Sequence, residues 1–383
     1  MKAKIYIKNN WSATKDAGTC TGEGTYFNPY VIEDLVIDAE GLSNGILIES
    51  TEEFFRIENV TIYNTSNSVL TAGIKLNHSN NGILINNNCS SNRNGIILWY
   101  SDNNTISGNI LYNNSDCGME IQGDNNDIFN NIVYNNSRHG IWLGGYNNTV
   151  NDNIANNNLV GMILNQINND VISGNIANNN TDAGIYFYNC VNNNISGNTA
   201  QYNDNGIRLG DCDHNTILGN NLNNNSDEGI FLDVFSWYNE ILENNINNND
   251  QGIRIYNSKY NTIYFNNFKN NSRNVSYLVA FNSWNSEKKI LYTYNGNNFT
   301  NYLGNYWDNY MGNDADNDGI GDTPYVIGEE YSDKYPLMEP IENYIFIEIV
   351  EPSNGRKIPG YNLFFLLNIL SLVVLVIGRK IKK

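Results

Sequence analysis

The sequence holds little charge: Asp, Glu, Lys and Arg together make up 16% of it, where a soluble domain usually has about a quarter. Cations are scarcer still, at 22 Lys and Arg against 40 Asp and Glu. The resulting net charge of −18 excludes a surface built to neutralise nucleic-acid phosphates. Cysteine is limited to five residues with no Cys-x-x-Cys pair, so no disulfide framework holds the fold. The three histidines, His78, His139 and His214, are scattered, which does not suit a clustered copper site. Few charges combined with 12% aromatic residues also argue against disorder. Helical hydrophobic periodicity is missing from the repeats described next. Their apolar tracts run only three or four residues with a period of two, which fits short strands.

Asparagine takes the place of charge, at roughly a fifth of all residues, well above ordinary usage. It tolerates tight turns and can stack in hydrogen-bonded ladders between neighbouring strands. A Gly-Ile-x-Leu-like tetrad begins at Gly45, Gly73, Gly95, Gly118, Gly140, Gly161, Gly184, Gly206, Gly229 and Gly252. After the first step of 28 residues the spacing stays between 21 and 23. A second pattern, Asn-x-Ile-x-x-Asn, follows most of these glycines, as at Asn104–Asn109, Asn148–Asn153, Asn215–Asn220 and Asn261–Asn266; Asp170 replaces the first Asn in one copy. A unit of this length is too short for a βαβ crossover, and one unit cannot bury its own apolar side. Leucine-rich repeats have a similar period but need more leucines and a helical segment. The sequence therefore predicts an all-β, right-handed parallel β-helix of about ten coils, a rod roughly 50 Å long at ~4.8 Å per coil.

Alternation sets the sidedness. The Ile and Leu of each tetrad point inward, and the residue between them and the one just after point out. The outward pairs are Ile97/Trp99, Glu120/Gln122, Trp142/Gly144, Ile163/Asn165, Tyr186/Tyr188, Arg208/Gly210, Phe231/Asp233 and Arg254/Tyr256. From these, Glu120, Trp142, Tyr186, Tyr188, Arg208, Phe231, Asp233, Arg254 and Tyr256 are the candidate ligand-binding residues. Sugar rings stack on aromatic faces, while charged neighbours hydrogen-bond hydroxyls. Met119 and Met162 fall on inward positions. Cys190 and Cys212, each six residues after a tetrad glycine, are expected to stack on adjacent coils as core thiols.

The ends depart from the repeat. Residues 1–44 lack its phase and read as an N-terminal cap, 45–280 as the coils, and 281–342 as a C-terminal cap. The latter carries Asp314-Ala315-Asp316-Asn317-Asp318-Gly319-Ile320-Gly321-Asp322. Carboxylates at alternate positions with a glycine for the turn suit Ca²⁺. The candidate ligands are Asp314, Asp316, Asp318 and Asp322, with the Ile320 carbonyl; the other reading is an acidic surface turn. Tyr325 stands where an EF-hand has its bidentate Glu, which excludes that motif. A linker (343–360) leads to an apolar run over 361–378 and a basic tail, Arg379 to Lys383. That pattern predicts a transmembrane helix with the tail in the cytoplasm and the coils outside. Lys2, Lys4 and Lys8 interrupt any apolar leader, so the export signal is expected upstream of Met1.

These residues carry a resemblance. The coils resemble the β-helix repeats of the NosD-like, carbohydrate-binding and sugar-hydrolase (CASH) group. Gly304-Asn305-Tyr306-Trp307, the Asp316–Tyr325 segment and Tyr335-Pro336-Leu337 are similar to the C-terminal end of archaeal NosD-like surface proteins. Ile358-Pro359-Gly360-Tyr361 resembles archaeal sorting tails, which more often carry Phe after Pro-Gly. The resemblance implies a cell-surface solenoid and leaves activity open, because this fold hosts enzymes and inert adhesins alike. Three functions follow: a non-catalytic glycan-binding or adhesive module; a polysaccharide lyase, epimerase or hydrolase; and copper handling. The first is favoured, since the face shows no dense carboxylate cluster and lacks the Asp-Pro-His motif of alginate epimerases.

Overall fold

A computed structural model of the chain describes residues 4–279, 281–329 and 331–349. One coil shows how the sequence builds the rest. Asn94–Trp99 forms a strand, and Tyr100 at φ 46° and Asn103 at φ 56° turn the chain. Thr105–Ser107 follows, then Gly108 at φ 66°, the strand Ile110–Tyr112 and Asn113 at φ 55°. Each corner needs a left-handed residue, which Asn and Gly supply at little steric cost. Ile96, Leu98, Ile106 and Leu111 point inward and are fully buried. Stacking such coils gives a 12-stranded and an 11-stranded parallel sheet. The third face is a six-stranded and a four-stranded sheet joined by bridges from Ile154 through Ile176 and Thr199 to Asn221.

All ten tetrads lie in the 12-stranded sheet, hereafter the long sheet, and their glycines form one column. A Cβ on Gly140 would sit 2.5 Å from the Gly161 carbonyl oxygen, and one on Gly161 2.5 Å from that of Gly184. Side chains cannot occupy this line without separating the coils. The two further strands come from the ends. Ile5–Lys8 pairs in register with Ile46–Glu49, and Arg273–Leu278 with the last tetrad strand. At position 274, where the glycine would stand, the chain has Asn. No later strand of this sheet stacks on it, so the clash that demands glycine is gone.

The N-terminal cap, residues 1–44, has the form of an atypical first coil. Ile5–Lys8, Tyr30–Glu33 and Val36–Asp38 are the three strands of a complete coil, paired to the coil beginning at Ile46. A short helix, Trp11–Asp16, is inserted into it, and Trp11 stacks on Tyr30 at 4.6 Å. The other end closes on Phe268, Trp307 and Tyr325, stacked at 4.5 and 4.4 Å. Tyr344–Ile349, at the start of the expected linker, pairs antiparallel with Ile290–Tyr294. The expected span over 361–378 and tail over 379–383 lie outside the described residues. Among the described residues no helix is long and apolar enough to cross a membrane.

Three columns of buried asparagines bind the corners together. In the central column Asn109, Asn131, Asn153 and Asn175 succeed one another. Each side-chain carbonyl accepts from the backbone N–H and the amide of the coil before; Asn131 reaches Asn153 Oδ1 at 3.0 and 2.9 Å. The column runs on through Asn266 and Asn305 to Asp333, whose buried carboxylate accepts from Asn305 N–H at 2.6 Å. The final member of such a ladder has only to accept, which a carboxylate does and an amide need not.

Candidate functional site

The outward face of the long sheet carries six of the nine expected ligand residues in one line. Register places Glu120 beside Trp142, Trp142 beside Ile163, and then Tyr186, Arg208, Phe231 and Arg254 on successive coils. Tyr188 and Tyr256 stand one alternation further on, 48% and 38% exposed, with Asp233 just beyond its strand.

The charges on this face are bound to one another. Arg208 donates to Asp233 Oδ2 at 2.6 Å and lies over the rings of Tyr186 and Phe231 at 4.9 and 5.2 Å. Arg254 lies over Phe231 at 4.9 Å and donates to Glu228 Oε1 at 3.1 Å. Tyr186, Arg208, Phe231 and Arg254 therefore alternate ring and guanidinium up the rod. This arrangement fixes the arginines by cation–π attraction and covers part of the Tyr186 and Phe231 faces expected to be free. Glu228, buried just before its glycine, went unnoticed in the sequence because that position follows no alternation. Burial pushes its carboxyl up to about 7 against the pull of Arg254.

A second group lies nearer the N-terminus. Trp99 donates to Glu120 at 3.3 Å, and Lys75 Nζ lies 4.7 Å above the Trp99 ring. Burial raises the Glu120 carboxyl and lowers the Lys75 ammonium. Ile97, expected to face solvent, is wholly buried between these groups: its strand partners are Lys75 and Glu120. Between the two groups, Gly144 and Gly210 are buried beside aromatic rings. The Trp142 indole leans over Gly144, where a Cβ would come 3.1 Å from the ring. Tyr186 and Tyr188 close over Gly210, each about 3.5 Å from the position its Cβ would take.

A further aromatic line was missed. His214, Tyr238 and Tyr260 occupy the left-handed corner before a ladder asparagine and stack at 5.2 and 5.1 Å. The phase preceding Asn215, Asn239 and Asn261 was the signal available in the sequence. Cys190 and Cys212 are buried, unbridged and on adjacent coils, as their spacing implies.

In the acidic loop, Asp314, Asp316 and Asp318 bring one carboxylate oxygen each within 4.8 Å of the others. Asn317 at φ 55° and Gly319 at φ 88° make the turn. Asp314 accepts from the N–H groups of Asp318 and Gly319. Asp318 is raised by burial above all, with Asp316 and Asp314 adding to it. Asp322 is occupied with Ala315 N–H at 2.9 Å, and Ile320 N–H donates to Asp318. Among the described residues this is the one grouping of three or more His, Cys, Asp or Glu able to hold a metal. Its oxygen donors suit a hard cation and not copper.

Comparison with known proteins agrees with this architecture. The family model of NosD, described as a periplasmic copper-binding protein, matches residues 144–312, and that of the right-handed β-helix region matches 44–185. No curated protein matches the chain. Among solved structures, the A-module of Azotobacter vinelandii mannuronan C-5 epimerase AlgE4 is 13% identical, over 72% of this chain and 94% of that one, with a TM-score of 0.46. The periplasmic alginate epimerase AlgG is 16% identical over 65% and 85%, with a TM-score of 0.44. The enzymatically active domain of bacteriophage CBA120 tailspike protein 2 is 12% identical over 73% and 46%, with a TM-score of 0.46. These structural likenesses are too distant to bear on activity. The chain is a right-handed parallel β-helix repeat protein, NosD-like over residues 144–312.

Proposed function

We propose that this protein is a surface module that holds a neutral or weakly charged glycan along the outward face of the long sheet without cleaving it. The observation that carries this reading is the run of outward aromatic side chains on successive coils, with Tyr188 and Tyr256 left 48% and 38% exposed. A sugar ring needs both a flat apolar wall and room to approach it. Coils repeat at ~4.8 Å, close to the length of one sugar unit, so an extended glycan can run along the rod. Asp233 and Glu228 are engaged by Arg208 and Arg254, which favours binding over general acid–base work by either carboxylate. Replacing Trp142 and Tyr188 together with Ala is expected to weaken glycan retention about thirtyfold, from roughly 1 kcal/mol per platform. The melting temperature should change little. Full retention by the double variant, or its unfolding, would remove these two residues from the site.

The same proposal places the coils outside the cytoplasm, in keeping with the periplasmic description of NosD, and gives the apolar run 361–378 the role of anchor. It also assigns Ca²⁺ to Asp314, Asp316 and Asp318, with Asp322 and the Ile320 carbonyl completing the set. Calorimetry should register one Ca²⁺ site that disappears in the Asp316→Ala, Asp318→Ala double variant. Silence at millimolar Ca²⁺ would reject the assignment.

A further inference from the structure

The outward column runs into a cavity. After Arg254 its next member is Ser276, on the last strand of the long sheet. That strand is the edge of its sheet, so one row of its backbone groups has no strand partner. Residues 271–277 together with Asp308, Asn309 and 325–327 of the cap line an open cavity of about 630 Å³ at this end. That volume is within the usual range for a small-ligand site. Amides and hydroxyls line it, from Asn271, Ser272, Asn274, Ser276 and Asn309.

Arg273 also lines it and differs from every other arginine among the described residues. Arg56, Arg93, Arg138, Arg208 and Arg254 each have a carboxylate within 4.0 Å. Arg273 forms no such pair with any of the described residues, and its side chain is exposed. The one carboxylate in the lining, Asp308, instead accepts from the Asn270 N–H at 2.5 Å. A guanidinium without a carboxylate partner on the lining of such a cavity is a two-pronged donor awaiting an anion.

We infer that this cavity binds a terminal acidic sugar, its carboxylate on Arg273 and its hydroxyls on the surrounding amides and serines. The inference deepens the glycan-binding reading, since it makes the cap a stop at which the chain end of a glycan is recognised. One acidic unit is compatible with the net charge of −18, because repulsion beyond about 8 Å is screened at physiological salt; a polyuronate along the whole face would meet far more of it.

The test is a titration of the full chain with glucuronate, glucose and acetate. Glucuronate should bind at least tenfold more tightly than either of the others, because it alone supplies both carboxylate and hydroxyls. Arg273→Gln should abolish that advantage with an unchanged melting temperature, and Arg273→Lys should restore part of it. Equal binding of acetate and glucuronate, or an unaltered advantage in Arg273→Gln, would overturn the inference. The Trp142→Ala, Tyr188→Ala variant separates the two readings. If it and the parent bind glucuronate alike while no neutral oligosaccharide binds either, the cavity stands and the column fails. If neutral oligosaccharides bind and glucuronate has no advantage, the reverse holds.

Discussion

Replacing Asn153 with Ala is expected to cost about 3–5 kcal/mol of stability, the most damaging single change to a polar residue in the coils. Its Oδ1 accepts from the N–H and the amide of Asn131, and its Nδ2 donates to the Ile128 carbonyl at 2.9 Å and to Asn175. Truncation leaves the buried Asn131 N–H without its acceptor and breaks contacts to both neighbouring coils. In a solenoid those nearest-neighbour contacts are the source of cooperativity. Asn130, one residue before the ladder member Asn131, has the opposite character: it is exposed and sits at φ 56°. Asn130→Gly should lie within about 0.5 kcal/mol of the parent, since glycine adopts that conformation freely. Urea denaturation of the two variants checks the contrast. Similar midpoints would mean that the asparagine ladders contribute little.

Asp170→Asn is expected to stabilise the protein by about 2–4 kcal/mol at pH 8 and by much less near pH 4. Asp170 is the one ladder position in its column with a carboxyl among asparagines, receiving Asn148 N–H at 3.0 Å. Burial pushes it up to about 7, chiefly by desolvation. The unfolded chain releases this proton near pH 3.9. Below that pH both states are protonated and the group costs nothing. As the pH rises from about 4 to 7 the unfolded state ionises first, so stability falls; above about 7 the loss is complete. Asparagine removes the titration and supplies an amide where the ladder otherwise has one. The stability difference between variant and parent, followed from pH 4 to 8, should therefore grow and then level. A difference that stays constant with pH would refute the account of this site.

The solenoid was legible in the sequence because its constraints repeat. Glycine is demanded wherever a carbonyl of the following coil blocks a Cβ, and alternating Ile and Leu fill a core one coil deep. The same logic hid the last coil and the strands of the first. Asn274 replaces glycine where no strand follows, and the first coil is interrupted by the helix Trp11–Asp16. Two of the three ladders were visible as Asn-x-Ile-x-x-Asn; the third, through Asn114 and Asn136, lies five residues later, where the inward residue varies from Leu111 and Val133 to Ala155 and Ala177 and so marks the phase less plainly. The candidate site was legible as a set of outward positions, since alternation decides which way Trp142 and Tyr188 point. Its interactions were not. Arg208 finds Asp233 25 residues away and Arg254 finds Glu228, pairings set by side-chain reach across coils and not by spacing. The cavity around Arg273 needed the cap, which belongs to no repeat.

The central claim is that the outward face of the long sheet holds an extended glycan over several coils. Its most direct test is affinity against chain length, measured by calorimetry with neutral oligosaccharides of increasing size drawn from whichever series the full chain retains most strongly. Each added unit reaching another coil should tighten binding until the aromatic stretch from Trp142 to Tyr256 is spanned. The Trp142→Ala, Tyr188→Ala variant should show a shallower rise. An affinity independent of length from the shortest member, or a rise unaltered in that variant, would contradict the claim.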